Sequence, residues 1–143
     1  MTPTQHDVVI IGGGQSALAV GFYLRRSGLS YVILDDQPVA GGSWPRAWTS
    51  LRAFSPAQWS SLPGWLMPSA ATDDTGGYPS RDDVVKYLTA YESRYALPVE
   101  HGVHVESVHY ESPDDHYQFL ITTDSGELHA RAIISATGNH PYL

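Results

Sequence analysis

The chain has 143 residues, 42% of them apolar and 16% charged, enough for one globular domain that buries about two thirds of its unfolded surface. With 15 Asp and Glu against 8 Lys and Arg the net charge is −7, so no basic surface is available to follow a nucleic-acid backbone. The absence of cysteine excludes disulfides and thiolate metal sites; with no apolar run near membrane length and no signal-peptide layout in residues 1–6, a soluble cytoplasmic protein is expected, away from membranes.

Asp7-Val8-Val9-Ile10-Ile11 reads as a buried strand that runs straight into Gly12-Gly13-Gly14, and an amphipathic stretch begins at Gln15 without a linker. Ala17, Val20, Gly21 and Leu24 recur at helical spacing on one apolar face, and Gly28 stands where a left-handed helix end is expected. A second strand over residues 30–34 ends in Asp35, 21 residues beyond Gly14. Strand, glycine turn, helix, strand and acid in that order make the phosphate-binding turn of a dinucleotide fold. Gly12 permits the tight exit from the strand, Gly14 leaves no side chain between backbone and pyrophosphate, and small Ala17 lets the helix lie close on the sheet. The unpaired N–H groups at the helix start, from Gln15 and Ser16 onward, then face the phosphates, with the positive end of the helix dipole behind them. At the far end, the Asp35 carboxylate accepts hydrogen bonds from an adenosine ribose and repels a 2′-phosphate, which favours FAD or NAD over NADP. Neither a P-loop nor a nucleophile elbow fits: the lysine of the first is missing, and no second glycine follows Ser16.

Residues 36–79 lack sustained periodicity and hold all 4 tryptophans, a length of irregular chain that usually carries function. Within it, Gly41-Gly42-Ser43-Trp44 combines close backbone approach with an aromatic able to pack on a planar ligand, so a cofactor role is expected for Trp44. Trp59 and Trp65 are expected to cover the sheet. Ser80-Arg81-Asp82-Asp83 is a capping box, opening a helix to about Tyr95 with Val84, Leu88, Tyr91 and Tyr95 on one face, stopped by Leu97-Pro98. Residues 99–101 then suit a short parallel strand. Residues 103–111, 117–123 and 128–135 alternate as three strands of an antiparallel meander, separated by Ser112-Pro113-Asp114-Asp115 and Asp124-Ser125-Gly126. The last of them, from Arg131, turns continuously apolar, as a strand returning to a buried parallel sheet should, and ends in Ala136-Thr137-Gly138 where the ligand crevice of such sheets lies. His101, His104, His109, His116 and His129 lie on or beside the meander without metal-ligand spacing and read as surface positions; only His140, after the Ala-Thr-Gly strand, stays in view. No metal site is expected.

With these segments placed, the chain resembles the N-terminal FAD-binding part of flavin-dependent monooxygenases, of the flavin-containing and Baeyer–Villiger type, especially the bacterial flavoproteins associated with potassium transport. The matching pieces are residues 8–17, Ile33-Leu34-Asp35, Gly41-Gly42-Ser43-Trp44, Ser61-Leu62-Pro63-Gly64, Tyr78-Pro79-Ser80-Arg81-Asp82, Val103-His104-Val105 and Ala136-Thr137-Gly138. They stand in family order across essentially the whole chain. The resemblance implies an α/β, Rossmann-like three-layer FAD/NAD(P)-binding fold, with a parallel sheet and an antiparallel β-meander in a single domain over residues 1–143. It implies extended FAD, with Gly12, Gly14, Gln15 and Ser16 at the pyrophosphate and Asp35 on the adenosine ribose, Ala17 and Gln37 also standing among the cofactor-binding residues. Gly42, Ser43 and Trp44 would lie nearer the flavin, Val105 would meet the adenine, and Ala136, Thr137 and Gly138 would line the crevice. In such enzymes NADPH reduces the flavin and one atom of molecular oxygen reaches the substrate, the cofactor carrying the chemistry.

Two local departures stand out: Asp35 occupies a position where glutamate is commoner, and Pro45 replaces a frequent basic residue, with Arg46 adjacent. The second glycine fingerprint, for NADPH, would follow the Ala-Thr-Gly strand and is absent from these residues. The expectation is therefore an FAD-binding half of a flavoprotein oxidoreductase, completed by a second chain or by self-association, with NADPH as co-substrate only where the missing domain is supplied. The alternatives are a non-catalytic module for FAD, NAD or an ADP-containing nucleotide, and an orphaned fragment whose uncovered apolar surface makes it associate. No catalytic acid, base or nucleophile can be assigned.

Overall fold

The computed structural model describes residues 4–68, 77–111 and 116–138. The elements in chain order are β1 (Gln5–Ile11), α1 (Gln15–Leu24), β2 (Tyr31–Leu34), α2 (Arg81–Arg94), β3 (Val99–Glu100), β4 (Val105–Tyr110), β5 (Phe119–Thr123) and β6 (Gly126–Ser135). They form one sheet in the order β3-β2-β1-β6-β5-β4. The β3, β2, β1 and β6 neighbours run parallel, whereas β6, β5 and β4 form the antiparallel meander.

Alternation along β1 decides the layering. Val8 and Ile10 point to the helices, where they pack with Ala17, Leu18, Ile33 and the inner face of α2. Val9 points the other way and meets Val32 and Leu34 together with Ile121, Leu128 and Ala130 of the meander. Helices, parallel strands and meander thus make the three layers of an α/β domain, as the resemblance implies.

The capping box of α2 forms in both directions: the Asp83 N–H donates to Ser80 Oγ and the Ser80 N–H to Asp83 Oδ2, each at 3.1 Å. Val84, Leu88 and Tyr91 are buried as the periodicity predicts, and Tyr87 joins them. Each such side chain contributes on the order of 1.5–3 kcal/mol through burial. The tyrosine hydroxyls also pin the irregular segment after β2. Tyr91 donates to the Pro63 carbonyl at 2.6 Å, and Tyr87 accepts from the Leu62 N–H and donates to the Trp65 carbonyl. Within that segment the chain makes only two short 3-10 turns, Trp44–Arg46 and Ala57–Trp59.

Several expectations need correction. Gly28 does adopt a left-handed conformation, with φ of 80°, but α1 already ends at Leu24 with Arg25 as its cap, so Gly28 serves the turn beyond the helix. Trp65 stacks on Tyr87 of α2, ring centroids 5.0 Å apart, rather than on the sheet, and Trp59 is 75% exposed. The end of β6 is not buried: Arg131, Ala132 and Ser135 are exposed, and Ile133 and Ile134 half-buried. The pairing explains this, because β5 accompanies β6 only as far as Ala130 while β1 follows it to Ser135. Beyond Ala130 the second edge of β6 carries no strand among the described residues. The Ser112-Pro113-Asp114-Asp115 turn and His140 lie outside the described residues.

Candidate functional site

The carboxyl ends of β1, β2 and β6 open into one crevice of about 980 Å³, flanked by residues 41–46 and by the approach to β4. Ligands of open α/β sheets bind at this edge. Gly12 turns the chain out of β1 with φ of 116°, and a Cβ there would lie 2.0 Å from the Ala136 carbonyl oxygen. No other residue type allows β1 and the end of β6 to come so close.

Gly14 caps α1 without a side chain, and no acidic residue stands in the first helical turn. The first N–H groups of α1 are therefore left for an anion, with the helix dipole favouring negative charge at that spot. Across the crevice, Gly42 adopts φ of 59° and its backbone closes on that of Gly14: a Cβ on Gly42 would lie 2.9 Å from Gly14 Cα. The Trp44 N–H donates to the Gly41 carbonyl, and Arg81 of α2 holds the Ala47 carbonyl at 3.0 Å, which fixes this second glycine turn against the helix layer. Trp44 packs on the core and lines the crevice.

Asp35 follows β2 directly and is 2% exposed, although it lines the crevice. Its backbone is paired with Glu100 and Val103, and its Oδ1 accepts from the Gln37 N–H at 3.2 Å. Oδ2 meets His101 Nδ1 at 2.7 Å, while His101 Nε2 meets Glu92 Oε1 at 2.8 Å. His101 is therefore no surface residue: it bridges a carboxylate of the crevice to one on α2. Burial disfavours the charged imidazole, but hydrogen bonds and attraction from Glu92 and Asp35 outweigh it, so its pKa lies above the ordinary 6.5. The two carboxylates sit on opposite ring nitrogens, and among the described residues no group of His, Asp or Glu is placed to hold a metal ion.

Of the candidate residues, Gly12, Gly14, Gln15, Ser16, Asp35, Gln37, Gly42, Ser43, Trp44, Val105, Ala136, Thr137 and Gly138 all line this one crevice. Ala17 does not; it is fully buried beneath α1, where its small side chain lets the helix lie on the sheet. Sequence reasoning missed Gly13, whose hydrogen leaves room for the Asp35 side chain, and the His101–Glu92 pair. Glycine at all three turn positions was the available signal for the first. Nothing in the local sequence marks the second. The charged side chains lining the crevice are Asp35, Asp36 and Glu106 against Arg46 alone, with His104 beside Asp36, so the walls are on balance acidic. A diphosphate here must rely on backbone N–H groups more than on basic side chains, and an extra phosphate near Asp35 is disfavoured.

Residues 9–143 match the family model described as pyridine nucleotide-disulphide oxidoreductase. A CzcO-like oxidoreductase from Geobacillus kaustophilus is 33% identical over 96% of this chain, which spans 38% of that relative. The flavin-containing monooxygenase from Stenotrophomonas maltophilia is 49% identical and superposes with a TM-score of 0.83 over 93% of this chain, again 38% of its own. Cyclohexanone monooxygenase in its open form shares the fold at 22% identity, with a TM-score of 0.77 over 97% of this chain and 29% of its own. The chain thus spans well under half the length of the proteins it matches. No helix among the described residues is long and apolar enough to cross a membrane.

Proposed function

Because the chain belongs to the pyridine nucleotide-disulphide oxidoreductase family and resembles the FAD-binding part of flavin monooxygenases, we propose that its crevice holds FAD for an NADPH-dependent monooxygenase reaction. One observation carries the reading: the glycine turn, the uncapped start of α1, Asp35, the Gly41–Trp44 turn and the end of β6 all face a single crevice.

The residues present fit such a group. A Cβ at Gly12 or Gly42 would fill space that the two facing turns need for their close approach. Gly14, Gln15 and Ser16 offer N–H groups to a diphosphate, and Asp35, with Gln37 beside it, offers acceptor capacity to ribose hydroxyls. Gly42, Ser43 and Trp44 form a wall on which a flat ring system would rest, Val105 would meet the adenine, and Ala136, Thr137 and Gly138 line the crevice without bulk. Bound FAD supplies the redox chemistry; this chain binds it, orients it and excludes water. Electrons from NADPH would pass to the flavin itself, so the task of this chain's own residues is to hold that acceptor in place.

The test is the absorption spectrum of the purified protein, followed by release and chromatographic identification of any flavin. FAD near one per chain, bleached by NADPH once the remaining domain is supplied, is the expected result. No flavin, and none taken up from excess FAD, overturns the reading; adenine-nucleotide binding without a flavin spectrum replaces it with a non-catalytic module.

A further inference from the structure

The Asp35–His101–Glu92 bridge joins the crevice to α2 through one imidazole. Asp35 cannot retreat easily: its side chain is 3% exposed and lies against the Gly13 backbone, where a Cβ would fall 2.4 Å from its carboxyl carbon. Two of its acceptor positions are taken, by the Gln37 N–H and by His101. The lone pairs left over are those that a crevice ligand can use. On the other side, Glu92 Oε1 touches the imidazole while its Oε2 is buried with no hydrogen-bond partner, so the His101 contact is what offsets the burial of this carboxylate.

Both ring nitrogens face carboxylate oxygens within 2.8 Å, contacts that a doubly protonated imidazole satisfies as donor on both sides. A neutral ring has one N–H and must turn a lone pair toward the other carboxylate. Either Asp35 is released, or Glu92 is, and in both cases the crevice wall becomes more negative by one charge. The charged groups facing His101 are Asp35 after β2 and Glu92 on α2; the nearby Asp36 accepts from Gln37 Nε2 and lies 4.0 Å from His104 instead.

We propose that His101 is a positioning residue, holding the Asp35 carboxylate for the adenosine ribose, and that loss of its ring proton weakens dinucleotide binding. This rests on the dinucleotide reading of the crevice and adds its regulation. Glu92 acts at one remove, by keeping the imidazole charged.

The experiment titrates the 143-residue chain with FAD, following flavin fluorescence, from about pH 6 to about pH 8.5, across the histidine range. All proteins carry His104→Gln, because His104 is a second histidine lining the crevice. With His101 intact, affinity should fall with rising pH by about threefold to tenfold, the weight of one hydrogen bond. Glu92→Gln removes one of the two carboxylates that hold the proton, and should move the midpoint of that fall down by about one pH unit with little loss of affinity at the acid end. His101→Gln keeps a neutral donor and should bind at an intermediate level independent of pH; His101→Ala should bind most weakly, also without pH dependence. A merely structural role would lower affinity evenly and leave the midpoint in place. A flat profile with His101 intact, an affinity that rises with pH, or an unmoved midpoint in Glu92→Gln overturns the proposal while leaving FAD binding standing. If no protein of the set takes up FAD at any pH, the dinucleotide reading fails and this inference fails with it.

Discussion

Gly13→Ala isolates the contact between the glycine turn and Asp35, because Gly13 has no left-handed backbone and the substitution adds only one methyl group. In open space the change would stabilise the fold by about 0.4–1 kcal/mol, since alanine restricts the unfolded chain. Here the methyl carbon would fall 2.4 Å from Asp35 Cγ, 2.5 Å from its Cβ and 2.7 Å from Oδ2. Asp35 Cβ moves only with the backbone, and that backbone is tied to Glu100 and Val103 at 2.9 Å each. Overpacking of this kind costs about 1–3 kcal/mol, so the sign reverses and the net effect is destabilising. Net of the gain from the unfolded chain, a penalty of up to about 2.6 kcal/mol remains, for a domain of this size a fall in melting temperature of up to roughly 10 °C. Urea denaturation gives the free energy directly. The same substitution made on Asp35→Gly should cost at least about 1 kcal/mol less, a coupling that identifies the side chain responsible. A Gly13→Ala protein as stable as its parent, or more so, or a penalty unchanged on Asp35→Gly, would refute the contact.

Other outcomes follow from the same geometry. Ser16→Glu places a carboxylate in the first turn of α1, which should raise the stability of the unliganded protein by about 0.3–1 kcal/mol through the helix dipole. It should weaken FAD binding at least about tenfold by repelling the diphosphate; equal affinity by fluorescence titration would remove the diphosphate from that helix start. Tyr91→Phe leaves the Pro63 carbonyl without its donor and should cost about 1–3 kcal/mol in urea denaturation, with FAD affinity unaltered, since Tyr91 does not line the crevice. The raised pKa of His101 makes the folded state bind the extra proton more tightly than the unfolded chain does. Its contribution to stability is therefore complete below about pH 6.5 and is lost as pH rises through the higher folded value. The difference between parent and His101→Gln in urea midpoint should accordingly shrink from about pH 6 to about pH 8.5.

The parts of this molecule legible in its sequence are those governed by neighbours along the chain. The strand, glycine turn, helix and acid over residues 7–35 each announce the next, and the capping box at Ser80 forms as its spacing dictates. The meander was readable because alternation and turn residues repeat locally. The His101 bridge was not readable, since its partners stand on two other elements and meet only once β2, β3 and α2 have packed. Smallness at Ala17 suits helix packing and ligand approach alike, and only its burial, seen in the folded chain, separates the two. Trp59 shows the converse limit: a large aromatic side chain in an irregular segment has no period to say which way it faces.

The position of β1 also sets the order in which the chain can acquire its structure. β1 lies in the middle of the sheet, with β2 following soon after and β6 near the other end of the sequence: Val8 pairs with Tyr31 on one side, and Gln5 with His129 on the other. During synthesis β1, α1 and β2 can associate early, but the second edge of β1 stays unpaired until residues 126–135 of β6 have left the ribosome. Contacts between such distant segments are slow to form, because most of the chain must be looped out first. For that interval Val9, fully enclosed in the finished fold, lacks Ala130 and Leu128 and is open to other nascent chains. Slowing translation or lowering temperature during expression therefore acts on a single late event, the arrival of β6, and soluble yield reports how often that strand finds β1 before another molecule does.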